Sequence, residues 1–122
     1  MNNILWAGQI ILAAVFLYSG IFKSILSEQQ LIARGQTGVV GLKPVTIRII
    51  GICELMGTAG ILLPWWLNIL PFLTPLTAAC FGVLMLLAAP IHYRLKEPRN
   101  IVVNLFLLLI ALFVAWGRGR QL

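Results

Sequence analysis

A chain of 122 residues that is 61% hydrophobic and only 10% charged departs from a soluble domain, where roughly 45–50% and about 25% are usual. It cannot cover a water-facing surface with polar side chains, so it is read as an integral membrane protein. The net charge of +6 does not point to nucleic acid, because the nine Lys and Arg flank apolar runs instead of forming one basic face.

The expected fold is all-α: one membrane domain with four transmembrane helices, short loops and spans at about 4–22, 45–63, 69–89 and 98–116. A hydrocarbon core of about 30 Å needs about 20 helical residues, and each run reaches or nearly reaches that length. The leading MNN carries no basic residue, and neither LYS nor YSG offers a small-x-small cleavage pattern, so the first run reads as a retained helix. The segment KSILSEQQLIARGQTGVVGLK follows. Its Ile25, Leu26, Ile32 and Ala33 share a helical face, either as an extension of the first helix or lying flat at the lipid surface. Gly35, Gly38 and Gly41 end any helix there, and Pro44 starts the next.

The second span holds IGICELMGTAGILLP, whose single charge is Glu54. An unpaired ionisable group at bilayer depth costs at least about 2.5–3.5 kcal/mol and therefore faces other helices or a wet cavity. Glu54 is nine residues into its span, about 14 Å by helical rise, too deep for a short side chain to reach the headgroups. Burial favours the neutral acid unless a cation or hydrogen-bond donors hold it ionised. Residues at similar depth are Tyr18 and Lys23 on the first span, His92 at the end of the third and Asn104 one turn into the fourth, with Lys23 and His92 the leading partners. Arg48, six positions from Glu54, is turned about 120° away and is expected to snorkel to phosphate. Gly51, Gly57 and Gly60 remove bulk and let helices approach, and Thr58 adds a hydroxyl one turn from Glu54.

The bland alternatives stand beside these. The acid and its partner can be a lock between helices, His92 a solvated loop residue, Asn104 interhelical glue and Tyr18 a packed ring with its hydroxyl satisfied. Cys53 and Cys80 lie 27 positions apart with no CxxC pair and no metal-ligand spacing, and read as small core hydrophobes.

The third span carries Pro71, Pro75 and Pro90, which predict bending. Pro98 suits the first turn of the fourth. With four spans, Lys23, Arg34, Lys43, Arg48, Arg94, Lys96 and Arg99 collect on one side and only Arg118 and Arg120 on the other. The positive-inside bias then makes loops 23–44 and 91–100 cytoplasmic and puts both termini outside. Trp6, Trp65, Trp66 and Trp116 all fall on the terminus side, as an aromatic belt would.

Taken in order, YSGIFKS, GICELMGTAGILLP, AAPIHYRLKEP and NIVVNLFLLLIAL resemble the DoxX-like family of small four-helix membrane proteins over nearly the whole chain. The resemblance implies a four-helix bundle in a bacterial inner membrane, with Glu54 as the second-helix acid, His92 as the histidine after the third helix and Asn104 as the fourth-helix asparagine. Relatives are associated with thiosulfate and quinone oxidation, with redox-stress complexes and with receptor assembly, so the family does not fix one activity.

Three functions follow as expectations. The first is an accessory or assembly subunit of a membrane complex, one associated with redox chemistry, because no loop is long enough for a catalytic domain and no haem, flavin or iron-sulfur pattern is present. It would meet another membrane protein or a second copy of itself, and would not be an enzyme on its own. The second is a site for quinone or another small ligand, with Glu54 and His92 exchanging protons with it. The third is a proton-coupled transporter, ranked last because its acid lies in the second helix while the first offers only Gln9 and Lys23.

Overall fold

The computed structural model describes residues 2–122. Four long helices, α1 (Asn2–Ile25), α3 (Pro44–Leu67), α4 (Leu73–Arg94) and α5 (Pro98–Gly119), run up and down as an antiparallel bundle. Each is long and apolar enough to cross a bilayer. A short helix, α2 (Glu28–Ala33), and a 3₁₀ turn at Thr37–Val39 lie between α1 and α3. Among the described residues there is no strand, so the fold is the all-α membrane bundle that the composition requires.

Local chemistry sets the ends of these helices. Pro44 and Pro98 each occupy a first-turn position, where the missing N–H has no helical acceptor to lose. Ser27 and Gln30 form a capping box that starts α2: the Gln30 amide donates to the Ser27 hydroxyl at 3.3 Å, and the Ser27 amide donates to the Gln30 side chain at 3.0 Å. The segment therefore neither extends α1 nor lies as one flat helix. It buries Leu31 and Val39 against Ile47, with Phe22, Leu26 and Leu42 around them, while Ile32 and Ala33 are exposed. Gly35 and Gly41, both at φ +84°, supply the left-handed bends that fold this layer over the end of the bundle.

The third long helix begins at Leu73, four residues later than the expected span, and ends at Arg94, five later. Pro71 disfavours helix at the residue before it. Asn68 and Leu70 take positive φ, and the chain turns at 68–72. Pro75 falls in the first turn of α4, where its missing N–H costs little, and Pro90 is accommodated inside the helix. Pro64, within α3, removes the donor for the Gly60 carbonyl, and the Thr74 hydroxyl of α4 donates to that carbonyl at 3.2 Å.

The mid-bundle is apolar. Leu12, Ala13 and Phe16 of α1 meet Ile61, Ala78, Phe81, Ala111 and Val114, with the Phe16 and Phe81 rings stacked at 3.8 Å. Small residues set the approach of the helices. A Cβ at Gly51 would lie 2.8 Å from the Lys23 Cβ and the Ser24 amide, so α1 and α3 touch there nearly backbone to backbone. Gly57 makes room for the Phe81 ring and Gly60 for Thr77. Cys53 and Cys80, expected in the core, are instead free and exposed, because the inward faces of α3 and α4 are taken by Gly51, Glu54, Ala78 and Phe81.

Candidate functional site

Two polar clusters interrupt the apolar bundle, one towards each end. The first belongs to the basic-loop side. Glu54 is 1% exposed, and its Oε1 accepts from Lys23 Nζ at 2.8 Å. The Lys23 side chain is 16% exposed, so the pair is sheltered from both water and lipid. Lys23 can reach the acid because its α1 backbone lies against Gly51, one turn from Glu54 on α3. Thr58 donates to the Glu54 carbonyl at 2.9 Å, a bond within its own helix. The second carboxylate oxygen, Oε2, is buried and has no hydrogen-bond partner.

That oxygen belongs to a residue on the wall of a cavity of about 290 Å³ between α1, the 3₁₀ turn, α3 and α4. Apart from Lys23, Glu54 and Thr46, its lining is apolar, with Ile50, Leu84 and Ile91 among the larger side chains and the exposed Leu87 at its rim. A second cavity, about 240 Å³, lies beside it towards α5 and shares Lys23, Gly38, Met85 and Ala88 with the first. Its walls are more polar and include Ser19, Gln36, Thr37, His92, Asn100 and Asn104.

His92 is not a partner of Glu54. Its Nδ1 lies 3.1 Å from Glu97 Oε1, which also accepts from the Thr37 hydroxyl at 2.7 Å, and Asn100 donates to Thr37 at 3.3 Å. Glu97, five residues on in the α4 to α5 turn, claims the imidazole before it can reach across the bundle. These bonds, Thr37 first and His92 second, hold the Glu97 carboxyl below its usual value of 4.5.

Asn104 is buried and donates to the Met85 carbonyl at 2.6 Å, joining α5 to α4 next to the Leu86 carbonyl that Pro90 leaves without a helical donor. Tyr18 is 52% exposed and packs edge-on against Phe22 at 4.6 Å; its hydroxyl makes no hydrogen bond among the described residues. It lines the second cavity from the rim but does not approach Glu54 through any bond. Of the six side chains named from sequence, Tyr18, Lys23, His92 and Asn104 line the second cavity, Glu54 pairs with Lys23 on the first, and Thr58 bonds its own helix. Arg48 does not snorkel outward. It donates to the carbonyls of Lys23 at 2.9 Å and Leu26 at 2.6 Å and so caps the end of α1.

The second cluster was not legible from sequence. Arg118 is 0% exposed, with Nε on Gln9 Oε1 at 2.7 Å and Nη1 on Asn2 Oδ1 at 2.7 Å and Gln121 Oε1 at 2.8 Å. Gln9 donates onward to the Ile61 carbonyl at 2.7 Å. The rings of Trp65 and Trp6 stand 4.6 and 5.4 Å from the guanidinium. The one available signal was Gln9, an amide two turns into an apolar helix, which needs a partner.

The DoxX-like family model matches residues 7–114 of the chain. The chain belongs to the DoxX-like family. No curated protein and no solved structure matches it. Membership agrees with the four membrane-spanning helices and places this DoxX-like chain in a lipid bilayer. The family match includes Lys23, Glu54, His92 and Asn104 and leaves Arg118 outside it.

Proposed function

We propose that this DoxX-like protein is an accessory subunit of a membrane complex that holds a small lipid-soluble ligand beside Glu54. The single observation that supports this reading is Glu54, a residue on the wall of a cavity of about 290 Å³ whose Oε2 atom is buried without a partner. A turn of the carboxylate towards the cavity lets that oxygen accept a hydrogen bond from an occupant. The Lys23 ammonium beside it can donate a second. Apolar walls and one acceptor suit a ring-bearing hydroxyl compound, and the volume, near the lower end of the usual range for ligand sites, suits a head group whose tail passes Leu87 into lipid. A quinol has this chemistry.

The alternative of proton-coupled transport finds less support, because the apolar layer around Phe16 and Phe81 separates the two polar clusters. The purely structural lock is favoured by the close α1 to α3 contact at Gly51, but it leaves Oε2 unexplained. We further take the basic loops to be cytoplasmic in a bacterial inner membrane, with both termini outside.

Equilibrium titration of the nanodisc-embedded protein with a short-chain quinol tests the reading. Saturable binding that weakens about tenfold in Glu54→Gln, about 1.4 kcal/mol, is expected, with Arg118→Met binding as the wild type does. Equal affinity in wild type and Glu54→Gln, or no saturable binding, would remove the ligand site. Recovery of one stoichiometric membrane partner with that cavity vacant would leave the assembly role alone.

A further inference from the structure

The imidazole of His92 stands between two different environments. On one side its Nδ1 contacts the Glu97 carboxylate at 3.1 Å, in the turn that leads to solvent. An ionised carboxylate accepts only, so the ring donates Nδ1–H, and in the neutral ring Nε2 is then the acceptor. On the other side Nε2 makes no hydrogen bond among the described residues, and its neighbour is Gly38, where a Cβ would lie 3.4 Å from it. Gly38 lines both cavities. The absent side chain is what leaves Nε2 open towards the space that ends at Lys23 and Glu54.

That space is suited to water. Ser19, Gln36, Thr37, Asn100 and Asn104 give the second cavity polar walls that offer donors and acceptors to internal waters. At about 30 Å³ per molecule, the smaller cavity of about 240 Å³ holds several waters, enough to link Nε2 to the Lys23 ammonium. The titratable groups around the path are Glu97 from the α4 to α5 turn, Lys23 and Tyr18 from α1 and Glu54 from α3 at its far end; Thr37 and Asn100, which complete the His92 surroundings, are neutral.

We propose that His92 relays protons between the Glu54 site and the basic-side surface, with Gly38 as the gap through which its Nε2 meets the cavity water. In the outward direction, a proton released at Glu54 or at a ligand hydroxyl crosses the cavity water and bonds to Nε2. The cationic ring then gives its Nδ1 proton to the Glu97 carboxylate, which releases it to solvent. One proton arrives and one leaves, and no electron is transferred. The ring is left as the Nε2–H tautomer, proton exchange through water returns it to the Nδ1–H tautomer facing Glu97, and each step is reversible. His92 acts through water, so it is a positioning and relay residue and not a contact to the ligand. The relay rests on the reading of Glu54 as a functional site, yet it operates with the site empty.

Hydrogen exchange at the Lys23 ammonium, followed by ¹⁵N NMR of lysine-labelled protein in nanodiscs without ligand, tests it. Lys43 and Lys96, the two other lysines, serve as internal references. His92→Gln is expected to slow exchange at Lys23 at least tenfold while leaving the references unchanged, and imidazole added to the buffer is expected to restore it. Gly38→Leu, which keeps His92 but fills the gap, is expected to slow it as well, and the added side chain blocks imidazole rescue. Unchanged exchange in both variants, with the Lys23 and Glu54 signals otherwise intact, would overturn the relay. So would slowing by His92→Gln that imidazole does not restore, since that marks a merely structural role. Quinol binding with unchanged exchange sinks the relay alone, and His92-dependent exchange without quinol binding sinks the ligand reading alone.

Discussion

The two polar clusters solve the same problem of charge in an apolar bundle by different means. Lys23 and Glu54 compensate each other ionically, and the pair borders open space with one oxygen unused. Arg118 has no counter-charge among the described residues: its acceptors are the neutral amides of Gln9, Asn2 and Gln121, and tryptophan rings flank it. The difference separates a site from a clamp. An acid held by one cation on a cavity wall keeps an acceptor for a further group, whereas the guanidinium, whose Nη2 is likewise buried without a partner, is bound by three amides and ties the chain ends to α1.

The largest expected effect comes from breaking the ionic cluster on one side only. Lys23→Met strands a buried carboxylate and should cost about 3–5 kcal/mol of stability, read by thermal or denaturant unfolding in detergent or nanodiscs. The double variant Lys23→Met with Glu54→Leu should recover most of that loss, because both charges are then gone. If the double variant is as unstable as the single one, the pair is not what holds α1 to α3.

A smaller loss is expected from Arg118→Met, about 1–2 kcal/mol by the same assay. Gln9 and Asn2 lose a donor, but the bundle is relieved of a buried cation, and interhelical polar contacts in membranes average well under 1 kcal/mol each. A loss exceeding that of Lys23→Met would invert the distinction between the clusters.

The smallest effect concerns Glu97. Its carboxyl is held below 4.5 in the folded state, so its contribution is complete above about pH 4.5 and is lost as pH falls through the lower folded value. The Glu97 side chain is partly exposed to solvent, and screening keeps the contribution small. Unfolding measured from neutral to acidic pH should show a slight acid-side decline that is absent in Glu97→Gln.

The spans were legible because runs of apolar residues near 20 long leave few other options, and Pro44 and Pro98 mark helix starts in either reading. Counting helical rise placed Lys23 and Glu54 at one depth, and they lie 2.8 Å apart. The same count also admitted His92. It could not weigh a rival acid in the adjoining turn, since depth says nothing about which of two carboxylates a ring faces. Arg118 counts from sequence only as a charge on the terminus side, and its partner Gln9 lies 109 positions away, a pairing no local pattern encodes. The SEQQ capping box is present in the sequence and sets the start of α2, which hydrophobic periodicity alone does not mark.

Glu54 sits inside the bundle, held by Lys23, and does not face acyl chains. Dipolar recoupling NMR between the Lys23 Nζ nitrogen and the Glu54 side-chain carboxyl carbon, in lipid bilayers, measures that contact directly. Strong coupling, of the size that an ammonium 2.8 Å from a carboxylate oxygen produces, is predicted. An absence of coupling, together with cross-peaks from Glu54 to lipid methylenes, would contradict the account.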